Sequence, residues 1–318
     1  MMLTRLLPGT WRQPPKPAFF VFGLLFAPMQ SALHISNVAG LAASLLLIAL
    51  YLLIRLQSQH LASKSPLPGT EIFIAVLLTL ALCIKPTLAP IVLLYLLWSR
   101  LWKALAVTVT LGGITCAIFP LFEPNWGWLA TIRSNIDFLF TVGVANLDDQ
   151  NLTRFDRIDL QLPLYILVQN RSIALAIAVF IAITLTTLSL TLGPPKNILQ
   201  RMPSLDEHLL RLSSLLVIGL LPIYQRYYSA ILLLVPVLWA FRNLALPRAR
   251  WILALCTIFL VNTSVLFRVL DLDQASHNPI THTLVQAFIE AHVCWLLLAI
   301  ATLLVLALRT PSSQIQQT

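Results

Sequence analysis

A chain of 318 residues that is 58% hydrophobic and 10% charged lacks the polar side chains a soluble surface requires. Its formal charge of +9 raises the question of nucleic acid, but the basic residues sit at the ends of apolar segments, where they read as topology signals. Mean hydropathy is +0.85, and the expected class is an all-α, polytopic transmembrane helix bundle in one integral membrane domain over 1–318.

Apolar segments fall at 18–35, 37–54, 71–88, 89–99, 104–122, 172–193, 208–224, 227–241, 250–270 and 283–308, about nine to ten in all because some are short. The first carries Pro28 and a basic flank of Arg5, Arg12 and Lys16. It lacks a convincing small-residue cleavage site and reads as an uncleaved helix. The stretch 71–99 is too short for two full spans, and Lys85-Pro86 interrupts it. A kinked hairpin or re-entrant element is expected there, because proline ends a helix and an ammonium at membrane depth needs a partner. The four cysteines all lie in apolar runs and read as inert lipid- or core-facing thiols.

With the N-terminus inside, the inner loops carry Arg55, Lys64, Arg100, Lys103, Lys196, Arg201, Arg211, Arg242, Arg248, Arg250 and Arg309. The outer side carries fewer basic residues and most of the acids, which favours cytoplasmic N and C termini. Labelling from outside should modify Asn151→Cys and spare Asn197→Cys; the reverse pattern would overturn the orientation. The longest non-spanning stretch, 123–171, is then extracytoplasmic. It opens on EPNWGW, whose Trp126 and Trp128 suit a membrane interface, and continues through IDFLFTVGV and IDLQLPLY, expected as surface-lying helices packed over the membrane domain. The end of the chain, 311–318, reads as a disordered tail.

Four groups of residues could carry chemistry. Lys85 either snorkels to the interface or faces an anionic ligand, for which a lipid phosphate is the obvious candidate. In LLPIYQRYYSAILLLVP, Arg226 could pair with a phosphate, while Gln225, Tyr227 and Tyr228 could hydrogen-bond a sugar or head group; an aromatic belt is the plainer reading. Asp148 and Asp149 could hold a divalent cation or supply a base, although these and the nearby Asp156 and Asp159 read more simply as solvated loop charges. Glu290 and His292 read as a polar helix contact or a proton-handling pair. His277 and His282 lack the spacing of a helical zinc pair, so no metal and no resident cofactor are expected. Nucleotide-binding and nucleophile-elbow patterns are absent from the sequence.

The order FAPMQSALHISNVAG, then LALCIKPTLAPIVLLYLLWSRLWKAL, then an outer loop with W-x-W, then LLPIYQRYYSAILLLVPVL resembles the bacterial polyprenol-phosphate-mannose-dependent alpha-mannosyltransferase family. Pro28 and Ser36-Asn37 match its first element without the family's Gly-Gln. Lys85 and Pro86 match the second, and Arg100, Trp102, Ala104 and Leu105 its basic flank. Pro222, Gln225, Tyr227 and Tyr228 match the third in outline, without its histidines. The resemblance spans roughly residues 18–245. It implies a membrane glycosyltransferase of the bacterial plasma membrane, moving a mannose-type hexose with inversion from a polyprenyl-phosphate donor to a glycan or glycolipid acceptor on the outer face. It also implies donor-phosphate contacts at Lys85 and Arg226 and substrate contacts at Asn37, Gln225, Tyr227 and Tyr228. The family's catalytic carboxylate belongs to a first outer loop, yet residues 1–36 contain no acid. The resemblance therefore implies a shortened copy: either it is inactive or its start is misplaced, the two favoured expectations, or Asp148 or Asp149 substitutes for the missing acid. A lipid-linked-sugar flippase, a small-molecule transporter and a non-catalytic partner subunit are the competing expectations.

Overall fold

The computed structural model describes residues 2–34, 38–61, 69–122, 130, 133–134, 156–192, 204–261 and 279–309. Among them the fold is all-helical, with a single isolated bridge between Arg157 and Arg226. In chain order the helices are α1 (Pro15–Leu25), α2 (Ala27–His34), α3 (Val38–Leu61), α4 (Thr70–Ile84), α5 (Ala89–Trp98), α6 (Trp102–Phe122), α7 (Gln161–Val168), α8 (Arg171–Thr191) and α9 (Leu205–Gly219). A 3-10 segment, Tyr227–Leu233, leads into α10 (Leu234–Arg242), followed by α11 (Pro247–Thr257), α12 (Pro279–Leu284) and α13 (His292–Ala307).

The central element is α9. Its start is set by Ser204, whose hydroxyl accepts from the Glu207 N–H at 3.2 Å, and by two acids in the first turn facing the positive helix end. From His208 to Gly219 every residue is buried, because α3, α5, α8, α10 and α13 all pack around it. At its far end Gly219 admits the neighbouring helix: a Cβ there would stand 2.6 Å from Ile91 Cγ1. That close approach brings α5 and the break before it against the end of α9.

Apolar side chains also cover the outside. On α8, Phe180 is 69% and Ile183 60% exposed, and Ile72 and Phe73 on α4 and Trp102 and Val109 on α6 are exposed too. Among the described residues one unbroken helix, Arg171–Thr191, is long and apolar enough to cross a membrane. Its 21 residues span about 32 Å at 1.5 Å per residue. Two broken pairs pass the same test if each counts as one span: Thr70–Ile84 with Pro86–Trp98, bent by 120°, and Ile280–Glu290 with His292–Ala307, bent by 51°. The first bend is the interruption expected at Lys85-Pro86. The second follows a π-helical turn at Val285–Glu290, a wider coil that re-aims the helix after it.

The stretch IDLQLPLY, expected as a helix, is helix α7 from Gln161 onward, packed on α8 and on the π turn. Two expectations need correction. Arg211 is not an inner-loop residue. It lies 3% exposed inside the bundle, where its guanidinium donates to the Ser189 and Leu192 carbonyls at the end of α8. Asp159 is not a solvated loop acid, as the next section describes. The cysteines divide as expected, Cys83 and Cys116 on the surface and Cys256 and Cys294 in the core.

Candidate functional site: a cationic corner at the helix break

Where α4 ends, Lys85 has left helical geometry (φ −136°, ψ 78°) and Pro86 opens a 3-10 turn into α5. The carbonyl end of α4 and the N-terminal end of the Pro86–Trp98 piece therefore meet at one corner. The first favours the Lys85 ammonium, and the second favours an anion brought beside it. Lys85 Nζ donates to Ser229 Oγ at 2.5 Å and lies 5.2 Å from the centre of the Tyr228 ring. Among the described residues no carboxylate lies within ion-pair reach of this partly buried lysine.

The opposite wall is the turn after α9. Gln225 is buried and donates through Nε2 to Thr87 Oγ1 at 3.1 Å, tying that turn to the 3-10 turn beside Lys85. Its Oε1 is buried without a hydrogen-bond partner, so the corner retains an unused acceptor. Arg226 is half-buried, and its Nε donates to the Tyr224 hydroxyl. The guanidinium carbons of Arg157 and Arg226 lie 5.1 Å and 5.8 Å from the centre of the Tyr224 ring.

An extended segment fixes this turn in place. The Ile158 N–H donates to the Gln225 carbonyl at 3.0 Å and the Leu160 N–H to the Leu221 carbonyl at 2.9 Å. Asp159, between them, is 0% exposed, and Arg157, just before them, is 2% exposed. The Asp159 carboxylate accepts from Arg157 Nε at 3.0 Å, Arg157 Nη2 at 2.6 Å and the Gln225 N–H at 3.1 Å. The fork-on-carboxylate geometry is the strong form of the ion pair, and its third hydrogen bond reaches directly into the turn. Gln161 adds a fourth tie, donating to the Pro222 carbonyl at 2.7 Å.

The structure thus brings Lys85, Gln225, Arg226 and Tyr228 into one neighbourhood. Tyr227 faces elsewhere: it is buried, and its hydroxyl lies 3.1 Å and 3.0 Å from the Phe259 and Val261 carbonyls. Asn37, Asp148, Asp149 and His277 lie outside the described residues. Glu290 is buried at the end of the π turn, and His292 contacts the Ile289 carbonyl through Nδ1 at 2.7 Å. Among the described residues no group of three His, Cys, Asp or Glu side chains could hold a metal ion. Sequence reasoning missed Ser229, Thr87 and the Arg157–Asp159 clamp. The first two were within reach, since hydroxyls next to Lys-Pro and Tyr-Tyr are natural partners for a lysine and an amide.

No family model, curated protein or solved structure matches this chain.

Proposed function

We propose that this chain is a polytopic membrane protein that recognises the phosphate of a lipid-linked hexose at the Lys85 corner, as a polyprenyl-phosphate-dependent glycosyltransferase does. One observation carries the reading. An ammonium at a 120° helix break meets a hydroxyl and an aromatic face and, among the described residues, no acid. A buried or half-buried cation in an apolar bundle calls for an anion, and a lipid phosphate supplies one from within the membrane. The unused Gln225 Oε1 suits a sugar hydroxyl beside that phosphate.

In this reading the apolar helices cross the bilayer with both termini on the cytoplasmic side. The corner opens to the outer face, where the glycan or glycolipid acceptor arrives. Transfer also requires a base for the acceptor hydroxyl, and Asp148 and Asp149 are the acids proposed for it.

The test uses the full chain in lipid nanodiscs with radiolabelled polyprenyl-phosphate mannose and short glycan acceptors. The donor should be retained by the protein and displaced by unlabelled polyprenyl phosphate. Label passing to the acceptor, and no longer passing in Asp148→Asn or Asp149→Asn, assigns the base. A protein that does not retain the donor would sink the proposal.

A further inference from the structure

A second polar cluster lies in the first half of α9, about 16 Å along the helix from Gly219 and thus away from the Lys85 corner. His208 is 1% exposed, and its Nδ1 lies 3.2 Å from the hydroxyl of the equally buried Tyr95 on α5. Its Nε2 is buried and has no hydrogen-bond partner. One turn later Arg211 has committed both Nη atoms to the Ser189 and Leu192 carbonyls, while its Nε is buried and unpartnered. The spacing puts His208 and Arg211 on one face of α9. Both lie against Trp98: the guanidinium carbon is 4.3 Å and the imidazole centre 5.5 Å from the indole centre.

With the Tyr95 hydroxyl donating to His208 Nδ1, His208 Nε2 carries the hydrogen. The cluster then holds two buried donors without a partner, and the Ser99 hydroxyl beside Tyr95 is buried and unpartnered as well. Arg211 pairs with the partly exposed Glu207 at 3.6 Å, a longer contact than the 2.6 Å pair of Asp206 with Arg242. Arg100 and Lys103, exposed just after Trp98, add positive charge at the same end of α5. A water molecule would satisfy the donors but leave the local excess of positive charge from Arg100, Lys103 and Arg211 over Glu207 as it is.

We infer that His208 and Arg211, roofed by Trp98, form a second anion site that accepts one phosphate group, independent of the Lys85 corner. The group comes either as free phosphate or on a lipid head reaching in beside the half-exposed Trp98.

The experiment follows thermal unfolding of the full chain in neutral detergent. One arm titrates inorganic phosphate against chloride at equal ionic strength. The other titrates phosphatidylglycerol against diacylglycerol, which carries no phosphate, in mixed micelles. At saturation the wild type should unfold about 5 °C higher in at least one arm. A response in the first arm identifies free phosphate, and one confined to the second identifies a lipid head. Lys85→Met removes the other proposed phosphate site, and the shift should persist in it. In that background His208→Leu, which replaces the imidazole with an apolar side chain, and Arg211→Gln should each abolish it. If the Arg211→Gln variant does not fold, His208→Leu decides. No shift in either arm, a shift lost in Lys85→Met alone, or one that survives His208→Leu in the Lys85→Met background would overturn the site. Failure of the Lys85 corner to bind lipid phosphate would leave this result untouched.

Discussion

Asp159→Asn lowers the stability of the chain by about 3–5 kcal/mol, the range for removing one partner of a buried ion pair. The substitution keeps the shape of the side chain and removes its charge. Arg157 then remains 2% exposed without the carboxylate that accepted from its Nε and Nη2, and an amide replaces the group that faced three N–H groups. An Asn nitrogen turned toward any of these groups would set donor against donor. Denaturant unfolding in detergent measures the loss. The double variant Arg157→Leu/Asp159→Leu should recover much of it, since the cost lies in taking the carboxylate from beside a buried guanidinium and not in the pair's absence. A loss below 1 kcal/mol in Asp159→Asn would show that the segment 157–160 does not hold the turn 221–226 in place.

The second large effect is on binding. Lys85→Met keeps a long, unbranched side chain in a partly buried position and removes the ammonium facing Ser229. Truncating one side of a desolvated charge pair costs about 2–5 kcal/mol, so donor affinity should fall on the order of 30-fold or more. Lys85→Arg restores only part of it, because a planar fork replaces a compact point charge at the end of a short break. Ser229→Ala removes the hydroxyl that accepts from the ammonium and should weaken binding less than Lys85→Met does, on the order of 10-fold, consistent with about 1.5 kcal/mol for a hydrogen bond to a charged group. Equilibrium retention of labelled polyprenyl-phosphate mannose by the three variants gives the ranking. Equal affinity of Lys85→Met and wild type would remove the lysine from the site.

The parts of this fold that were legible in the sequence are those with local causes. Lys85-Pro86 broke an apolar run, and the structure bends there by 120°. The uncharged run at 172–193 reappears as the helix Arg171–Thr191. What escaped depended on distant partners. Arg-Ile-Asp at 157–159 looks like solvent-facing loop chemistry. On extended backbone, however, residues two apart point to one side, so guanidinium and carboxylate pair there and are then buried by the turn after α9. Glu207 and Arg211 have the spacing of a surface helix pair, yet α9 is wrapped on all sides and the arginine serves the last carbonyls of α8. At the corner, Lys85 and Gln225 could be picked out one at a time. Their meeting depends on Gly219 letting α5 approach α9, a contact between residues 128 apart (219 − 91) that no local pattern announces.

The central claim is that a lipid phosphate docks against Lys85 between the α4–α5 break and the turn after α9. The most direct measurement is photo-crosslinking of the full chain in nanodiscs, using a polyprenyl phosphate with a diazirine on its first isoprene unit. The adducts should fall in residues 85–89 and 224–230, and unlabelled polyprenyl phosphate should compete them away while the uncharged polyprenol does not. Adducts spread over the exposed apolar faces of α4, α6 and α8, competed equally by alcohol and phosphate, would contradict the account.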